Sequence, residues 1–201
     1  IIPTDSIVIT IDKEAVKRSG MMIAADSIPD VMHLSLKGKR AVYKSEMMMY
    51  EMLAQCNWER PLYVAITVGK DNYGNLGDYF VREGLADRIT PFNTKKSGRT
   101  VDTEKMYDNL MSRFRYGGLD NPDFYIDETI SRMSYTHRRI FSQLATQLLR
   151  EGKKEKAQNL LKRAEEVLPP TTLPHTFAGG SLDLARAWIQ VDNKKQAEAI
   201  A

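Results

Sequence analysis

This chain of 201 residues lacks disulfide pairs, long apolar runs and a strong imbalance of charge. With Cys56 as its single cysteine the chain cannot form an intramolecular disulfide, so the cysteine count does not indicate whether its compartment is oxidising or reducing. The longest apolar stretch, residues 62–68, is far too short to span a bilayer. The formal net charge is +3, with 29 basic against 26 acidic residues, which argues against a dedicated nucleic-acid surface. We therefore expect no nucleic-acid partner.

Metal-ligand spacings and nucleotide-binding loops are lacking as well. His33, His137 and His175 lie far apart in the sequence, and none has a partner at the spacing of a zinc site. No Walker loop, no Gly-x-Gly-x-x-Gly and no Gly-x-Ser-x-Gly motif occurs. We predict no metal, no cofactor and no catalytic residue in this chain, and its enzyme class stays open.

Residues 1–100 mix strand and helix signals, which predicts a small α/β domain that ends in the polar segment 93–100. The run 61–69, bounded by Pro and Gly, is continuously apolar and predicts a strand buried on both faces. The other predicted elements are strands over 7–11 and 32–36, a short helix capped by Asp12, a short helix over 75–83 and an edge strand over 86–92.

A helix is predicted over residues 44–55, followed by Cys56. Apolar residues recur on it at helical spacing, so we expect that face to lie in the core and the cysteine to be a buried structural thiol. The face consists of Met47, Met48, Met49, Met52 and Leu53.

Residues 101–201 are predicted to be helical and to contain tetratricopeptide-like repeats. Ala145 and Ala157 are twelve residues apart, as are Ala185 and Ala197, and a small residue at each position lets two antiparallel helices pack closely. The two pairs are 40 residues apart, whereas the usual period is about 34, so the loop between them carries an insertion. We expect the chain to stop inside the second repeat, leaving Trp188 and Ala197 on an exposed apolar face.

The loop over residues 113–128 mixes arginine, aromatic, glycine and acidic residues, as binding loops often do. Aromatic faces beside polar groups bind sugars, and Asp120 with Glu128 suggests an acid/base pair whose separation no sequence pattern defines. The simpler alternative is that Tyr116 and Tyr125 seal the loop against the helices, while Asp120 and Asp127 cap helices.

Three segments carry a family resemblance: Trp58-Glu-Arg60-Pro61 with its neighbours, residues 75–85, and the stretch from Arg115 to Glu128. Over residues 5–195 the chain resembles the C-terminal soluble part of bacterial membrane proteins of domain of unknown function family 2723. That family is similar to protein O-mannosyltransferases of the glycosyltransferase-C type.

The resemblance implies a parent protein with N-terminal membrane helices that carry the transferase site, and a tail on the periplasmic side of the inner membrane. The catalytic acid of such transferases has no matching position here, so no catalytic residue is carried over. The Gly-Asp-Asn-Asp segment of the family is also missing, so this chain is expected to hold only part of the α/β layer.

Together these features predict a non-catalytic, extracytoplasmic accessory domain that binds a polypeptide acceptor or a protein or glycoprotein partner through its helices. The alternative is a carbohydrate-binding or glycan-processing domain that uses the loop 113–128, and a purely structural cap is a third interpretation. The candidate ligand-binding residues are Trp58, Arg60, Arg115, Tyr116, Asp120, Tyr125 and Glu128.

Overall fold

The computed structural model describes residues 4–21 and 28–200. The chain forms two compact units, Ile1–Asp102 and Thr103–Ala201. The first unit contains small sheets with helices and the second is helical, which confirms the predicted mixture of α and β structure. The predicted domain boundary at residue 100 stays a prediction.

The first sheet of the N-terminal unit is an antiparallel pair. Strand β1 (Ser6–Thr10) pairs with β2 (Val31–Ser35), with Thr10 opposite Val31. Helix α1 (Lys13–Arg18) begins at Asp12, whose side chain accepts the Ala15 N–H at 2.9 Å. Both strands begin and end one residue before their predicted bounds, and Asp12 caps α1 as predicted.

Helix α2 (Lys44–Gln55) has the predicted bounds but buries a different face. Met47, Met48 and Met52 are 61%, 57% and 57% exposed, whereas Leu53 is 1% exposed and Met49 is half-buried. The prediction that this methionine face lies in the core is therefore wrong for three of its five residues.

Polar contacts explain which side of α2 turns inward. Glu46 is buried. Its Oε1 forms an ion pair with Lys39 and its Oε2 accepts the Tyr43 N–H at 3.1 Å, so each carboxylate oxygen has a partner. These hydrogen bonds, the one from Lys39 foremost, lower the pKa of Glu46. Tyr50 is buried on the same side, and Cys56 at the end of α2 is only half-buried.

The second sheet has three antiparallel strands in the order β3-β5-β4, namely β3 (Tyr63–Ala65), β4 (Phe80–Arg82) and β5 (Ala86–Ile89). The run 61–69 contributes only β3, an edge strand in which Tyr63 is 43% exposed, and β5 is central instead of being an edge. The run 61–69 forms only a short strand because the chain turns after β3, where the Val68 N–H donates to the Ala65 carbonyl at 3.0 Å. The prediction that β5 is an edge strand is wrong because β5 pairs with both β3 and β4.

Short helical segments complete the N-terminal unit. Two 3-10 segments, Lys70–Asn72 and Gly74–Tyr79, precede β4, so the helix predicted over 75–83 is only partly present. Helix α3 (Thr94–Ser97) follows the second sheet, and the side chain of Asn93 accepts the Lys96 N–H at its start.

The second unit consists of helices α4 (Thr103–Asp108), α5 (Glu128–Arg150), α6 (Lys154–Val167), α7 (Ser181–Gln190) and α8 (Lys194–Ile200). A π-helical turn, Asn109–Arg113, continues α4. The side chain of Asp127 accepts the Ile130 N–H at 2.7 Å and begins α5, as predicted. Helices α5 with α6 and α7 with α8 form two packed hairpins, and α7 also packs on α5.

The segment between α6 and α7 is held by one buried guanidinium group. Arg138 of α5 is 1% exposed and donates to the carbonyl oxygens of Leu168 (3.4 Å), Leu173 (2.5 Å) and Pro174 (3.0 Å). This guanidinium clamp holds the loop between α6 and α7 through its backbone carbonyl groups.

Trp188 and Ala197 are buried, at 2% and 5% exposure, so the prediction that they form an exposed face is wrong. The reason is a contact across helices, since the Trp188 indole N–H donates to Glu165 Oε1 of α6 at 2.7 Å. Among the helices of the described ranges, none is both long and apolar enough to cross a membrane.

Candidate functional site

Tyr116 anchors the loop between α4 and α5. Its hydroxyl donates to the Leu110 carbonyl at 2.8 Å, and its ring lies 5.7 Å from the His137 ring and 6.0 Å from that of Phe141. Burial raises the pKa of Tyr116 to about 12, so the hydroxyl stays protonated at neutral pH. Tyr116 therefore seals the loop against α5.

A cavity of about 290 Å³ opens beside this ring, and we name it the loop cavity. His137 contributes a ring whose Nδ1 is buried without a hydrogen-bond partner among the described residues. Burial lowers the pKa of His137, so the imidazole is neutral at neutral pH, and Arg115 brings the positive charge. The lining residues are Arg115, Tyr116, Gly117, Leu119, Ile130, Met133, Ser134 and His137.

The other predicted loop residues lie outside this cavity. Asp120 is exposed, Tyr125 is 89% exposed, and the Glu128 carboxylate forms an exposed ion pair with Arg132 at 2.8 Å. Of the five candidates in the loop, only Arg115 and Tyr116 come together at the cavity. Their role in binding a ligand stays a prediction.

The two remaining candidates lie in the N-terminal unit. Trp58 is 3% exposed and belongs to the core, with its indole N–H unpartnered among the described residues, whereas Arg60 is exposed. In the ranges 4–21 and 28–200, no three His, Cys, Asp or Glu side chains come together as a metal site would require.

A second concave surface lies on the α7–α8 hairpin. The predicted exposed face of this hairpin was Trp188 with Ala197, whereas Leu182 and Ile189 are the exposed apolar residues. The concave surface has a volume of about 300 Å³, and its apolar walls include Leu182 and Ile189, which are 43% and 51% exposed. We name it the α7–α8 groove; it is lined by Leu182, Ala185, Arg186, Ile189, Lys194, Ala197 and Glu198.

A neighbouring depression of about 210 Å³ shares Leu182 and Ala185 with the groove and extends it to Phe177, which is 86% exposed. The sequence contains a signal for this surface. Helix α7 carries apolar residues on two faces, one of which, Leu184 with Trp188, is buried. A helix with two apolar faces indicates a second contact surface.

Arg186 and Lys194 are exposed on the rim of the groove, and Glu198 is the one acidic residue among its lining residues. Arg186 lies 3.6 Å from Asp183 of the same helix, an exposed pair that contributes little stability. With Asp183 counted, the two cations and the two carboxylates at the groove balance each other.

Residues 1–107 match the sequence model of a family described as TMEM260-associated domain 2, which is more than half of the 201 residues. The match spans the N-terminal unit and the start of α4. No curated protein and no solved structure matches the chain.

Proposed function

Because this chain belongs to the TMEM260-associated domain 2 family, we propose that it is a non-catalytic accessory domain that binds a polypeptide. The TMEM260 family is a membrane glycosyltransferase-like family of the O-mannosyltransferase kind, with which this domain is associated. The polypeptide is the acceptor or a protein or glycoprotein partner. The domain lies on the extracytoplasmic, periplasmic side and is tied to the membrane through its parent protein.

The helical unit acts in this proposal as a pair of tetratricopeptide-like repeats. Both hairpins turn in the same way, at Gly152 (φ 75°) and Asp192 (φ 64°). The N–H of Lys153 donates to Leu148 O at 2.8 Å, and the N–H of Asn193 donates to Trp188 O at 3.0 Å, forty residues later. The twelve-residue alanine spacing recurs with all four side chains buried, at Ala145, Ala157, Ala185 and Ala197.

The observation that carries the proposal is the α7–α8 groove. Stacked helical hairpins present concave surfaces to polypeptides, and an exposed apolar patch with a polar rim is typical of an interaction site. Leu182 and Ile189 supply the apolar walls of the groove, while Arg186 and Lys194 lie on its polar rim.

Site-specific photo-crosslinking in the membrane-embedded parent protein tests the proposal. A photoreactive side chain replaces Ile189 in the groove, and a control replaces Lys162, which is exposed on α6 and does not line the groove. We expect a polypeptide adduct at 189 and none at 162. In parallel, Ile189→Glu should reduce glycosylation of the acceptor. Absence of an adduct together with full glycosylation in the variant would contradict the proposal.

A second candidate function is carbohydrate binding at the loop cavity, favoured by the meeting of Arg115 and Tyr116 on its wall. Glycan-array binding should be lost in Arg115→Ala and kept in Asp120→Ala, since Asp120 does not line the cavity. Equal binding by both variants and the unaltered chain would exclude this candidate.

A further inference from the structure

Helix α2 carries three methionines, Met47, Met48 and Met52, whose side chains are each more than half exposed, and we name them the methionine cluster. Tyr43 precedes Met47 by one helical turn and is 72% exposed, and Met48 precedes Met52 by one turn. The outer side of α2 therefore presents clustered thioether groups to solvent. Unlike other apolar groups, a thioether becomes polar when an oxidant converts it into a sulfoxide.

The inner side of α2 is held in the N-terminal unit by other residues. Tyr50 and Leu53 belong to the hydrophobic core, and the buried Glu46 pairs with Lys39. The neighbouring Met49 is half-buried and packs against that core. Because these contacts are made by residues outside the methionine cluster, a change in the polarity of the cluster leaves them in place.

Two other methionines lie where oxidation would be destructive. Met32 of β2 and Met106 of α4 are 1% and 0% exposed. A sulfoxide at either position would place a polar oxygen in the interior, which destabilises a fold unless a hydrogen bond compensates. A buried thioether also meets a dissolved oxidant only in the small population of locally open molecules. The fold thus exposes thioethers whose oxidation it tolerates and encloses these two, whose oxidation it does not.

We propose that the methionine cluster is a reversible oxidation site that takes oxygen atoms from hydroperoxides. The sulfur lone pair attacks the terminal oxygen of the hydroperoxide, the O–O bond breaks, and the proton of the transferred oxygen passes to the departing oxygen. The products are a sulfoxide and water or an alcohol, so the sulfur loses two electrons and the peroxide gains two. Methionine sulfoxide reductases return the thioether, one enzyme for each sulfoxide epimer, with a dithiol as the source of two electrons.

Oxidation of the methionine cluster changes the surface of the N-terminal unit from apolar to polar at three neighbouring positions. The site is therefore a redox switch of surface polarity, and the core contacts of α2 are kept in both states. This inference concerns a different unit from the α7–α8 groove, so it does not depend on the proposed binding of a polypeptide.

Treatment of the 201-residue chain with dilute hydrogen peroxide tests the proposal. Peptide mapping by mass spectrometry follows each sulfoxide, and hydrophobic-interaction chromatography follows the polarity of the surface. We expect the methionine cluster to be oxidised roughly tenfold or more faster than Met32 and Met106, because buried thioethers react only in open molecules. The oxidised chain should elute earlier, and treatment with both reductases should restore the original retention.

The matched control is the triple variant Met47→Leu, Met48→Leu and Met52→Leu, which keeps apolar side chains on α2 but has no thioether there. It retains Cys56 and Met133, a methionine of similar exposure (64%) on α5. Peroxide should therefore shift the retention of this variant much less than that of the unaltered chain. Followed by circular dichroism, peroxide should change the Tm of both chains by the same amount, within about 2 °C.

Oxidation of Met32 and Met106 at the rate of the methionine cluster would overturn the proposal. An equal shift of retention in the triple variant would do the same, because the change would then come from Cys56 or Met133. A larger loss of Tm in the unaltered chain than in the triple variant would show that the cluster supports the fold, and retention that the reductases do not restore would refute a reversible site. None of these outcomes depends on a polypeptide adduct at position 189.

Discussion

Replacing Arg138 by Met should destabilise the helical unit strongly. The guanidinium is 1% exposed and is the donor to three carbonyl oxygens, those of Leu168, Leu173 and Pro174. Met is unbranched, apolar and shorter than Arg by the end of the guanidinium group, so the change removes the charge and the donors and keeps most of the aliphatic stem. The carbonyls of the loop between α6 and α7 then lose this buried partner.

The expected magnitude follows from two opposing contributions. Hydrogen bonds from a charged donor contribute about 1.5–3 kcal/mol each, so three of them sum to roughly 4.5–9 kcal/mol. The bond to Leu168 is long, at 3.4 Å, which places the gross loss near the low end, at about 5 kcal/mol. Removing a buried charge recovers several kcal/mol of desolvation, an effect that is also the main cause of the lowered pKa of Arg138. A net loss of about 2 kcal/mol remains, which lowers the Tm of a unit of about 100 residues by roughly 8–16 °C.

Thermal unfolding followed by far-ultraviolet circular dichroism measures this loss. The matched control is Arg132→Met on the same helix, because that side chain is 78% exposed and its ion pair with Glu128 contributes little. Arg138→Lys should fall between the two, since one ammonium group cannot reproduce the guanidinium fork. A Tm for Arg138→Met within about 2 °C of the Arg132→Met value would refute the clamp.

Three other predictions follow from the described residues. Hydrogen bonds from the two lysines at the start of α6 lower the pKa of Glu104 to about 2. The ionised Glu104 therefore adds to the free energy of unfolding above the unfolded pKa of 4.5, and this contribution is lost as pH falls toward 2. In urea unfolding, Glu104→Gln should therefore be less stable than the unaltered chain at about pH 7 and equally stable near pH 2, and a difference that persists in acid would contradict this. Gly180→Ala should lower the Tm more than Gly117→Ala, because both glycines have positive φ but only the former Cβ meets a neighbour; equal Tm losses would argue against the close approach. Met48→Glu should change the unfolding free energy by less than about 0.5 kcal/mol, because Met48 is exposed. Leu53→Ala should lower it by about 2–5 kcal/mol, because Leu53 is buried. Similar losses in both variants would show that Met48 lies in the core.

Local signals predicted several elements correctly. The bounds of α2 (Lys44–Gln55), the strands β1 and β2 and the cap at Asp127 all follow from nearest-neighbour chemistry, which a sequence displays directly. The strand predicted over residues 61–69 was wrong because a continuous apolar run does not show where the chain turns. The candidate site was only partly predictable, since Arg115 and Tyr116 meet at the loop cavity through packing on α5, which no spacing in the loop encodes.

The sequence by itself determined the bounds of α2, the caps that begin α1 and α5, and the forty-residue spacing of the two hairpins, because caps, turns and apolar periodicity act over a few residues. Only the tertiary structure decided which faces those helices bury. The ion pair of Glu46 with Lys39 accompanies the inward turn of one side of α2 and leaves its methionines outside. The bond from Trp188 to Glu165 of α6 likewise buries the indole and leaves Leu182 and Ile189 as the open face. The first contact joins residues 7 apart and the second residues 23 apart, beyond the spacing within one helical turn. The energies of both depend on burial, which local spacing does not specify.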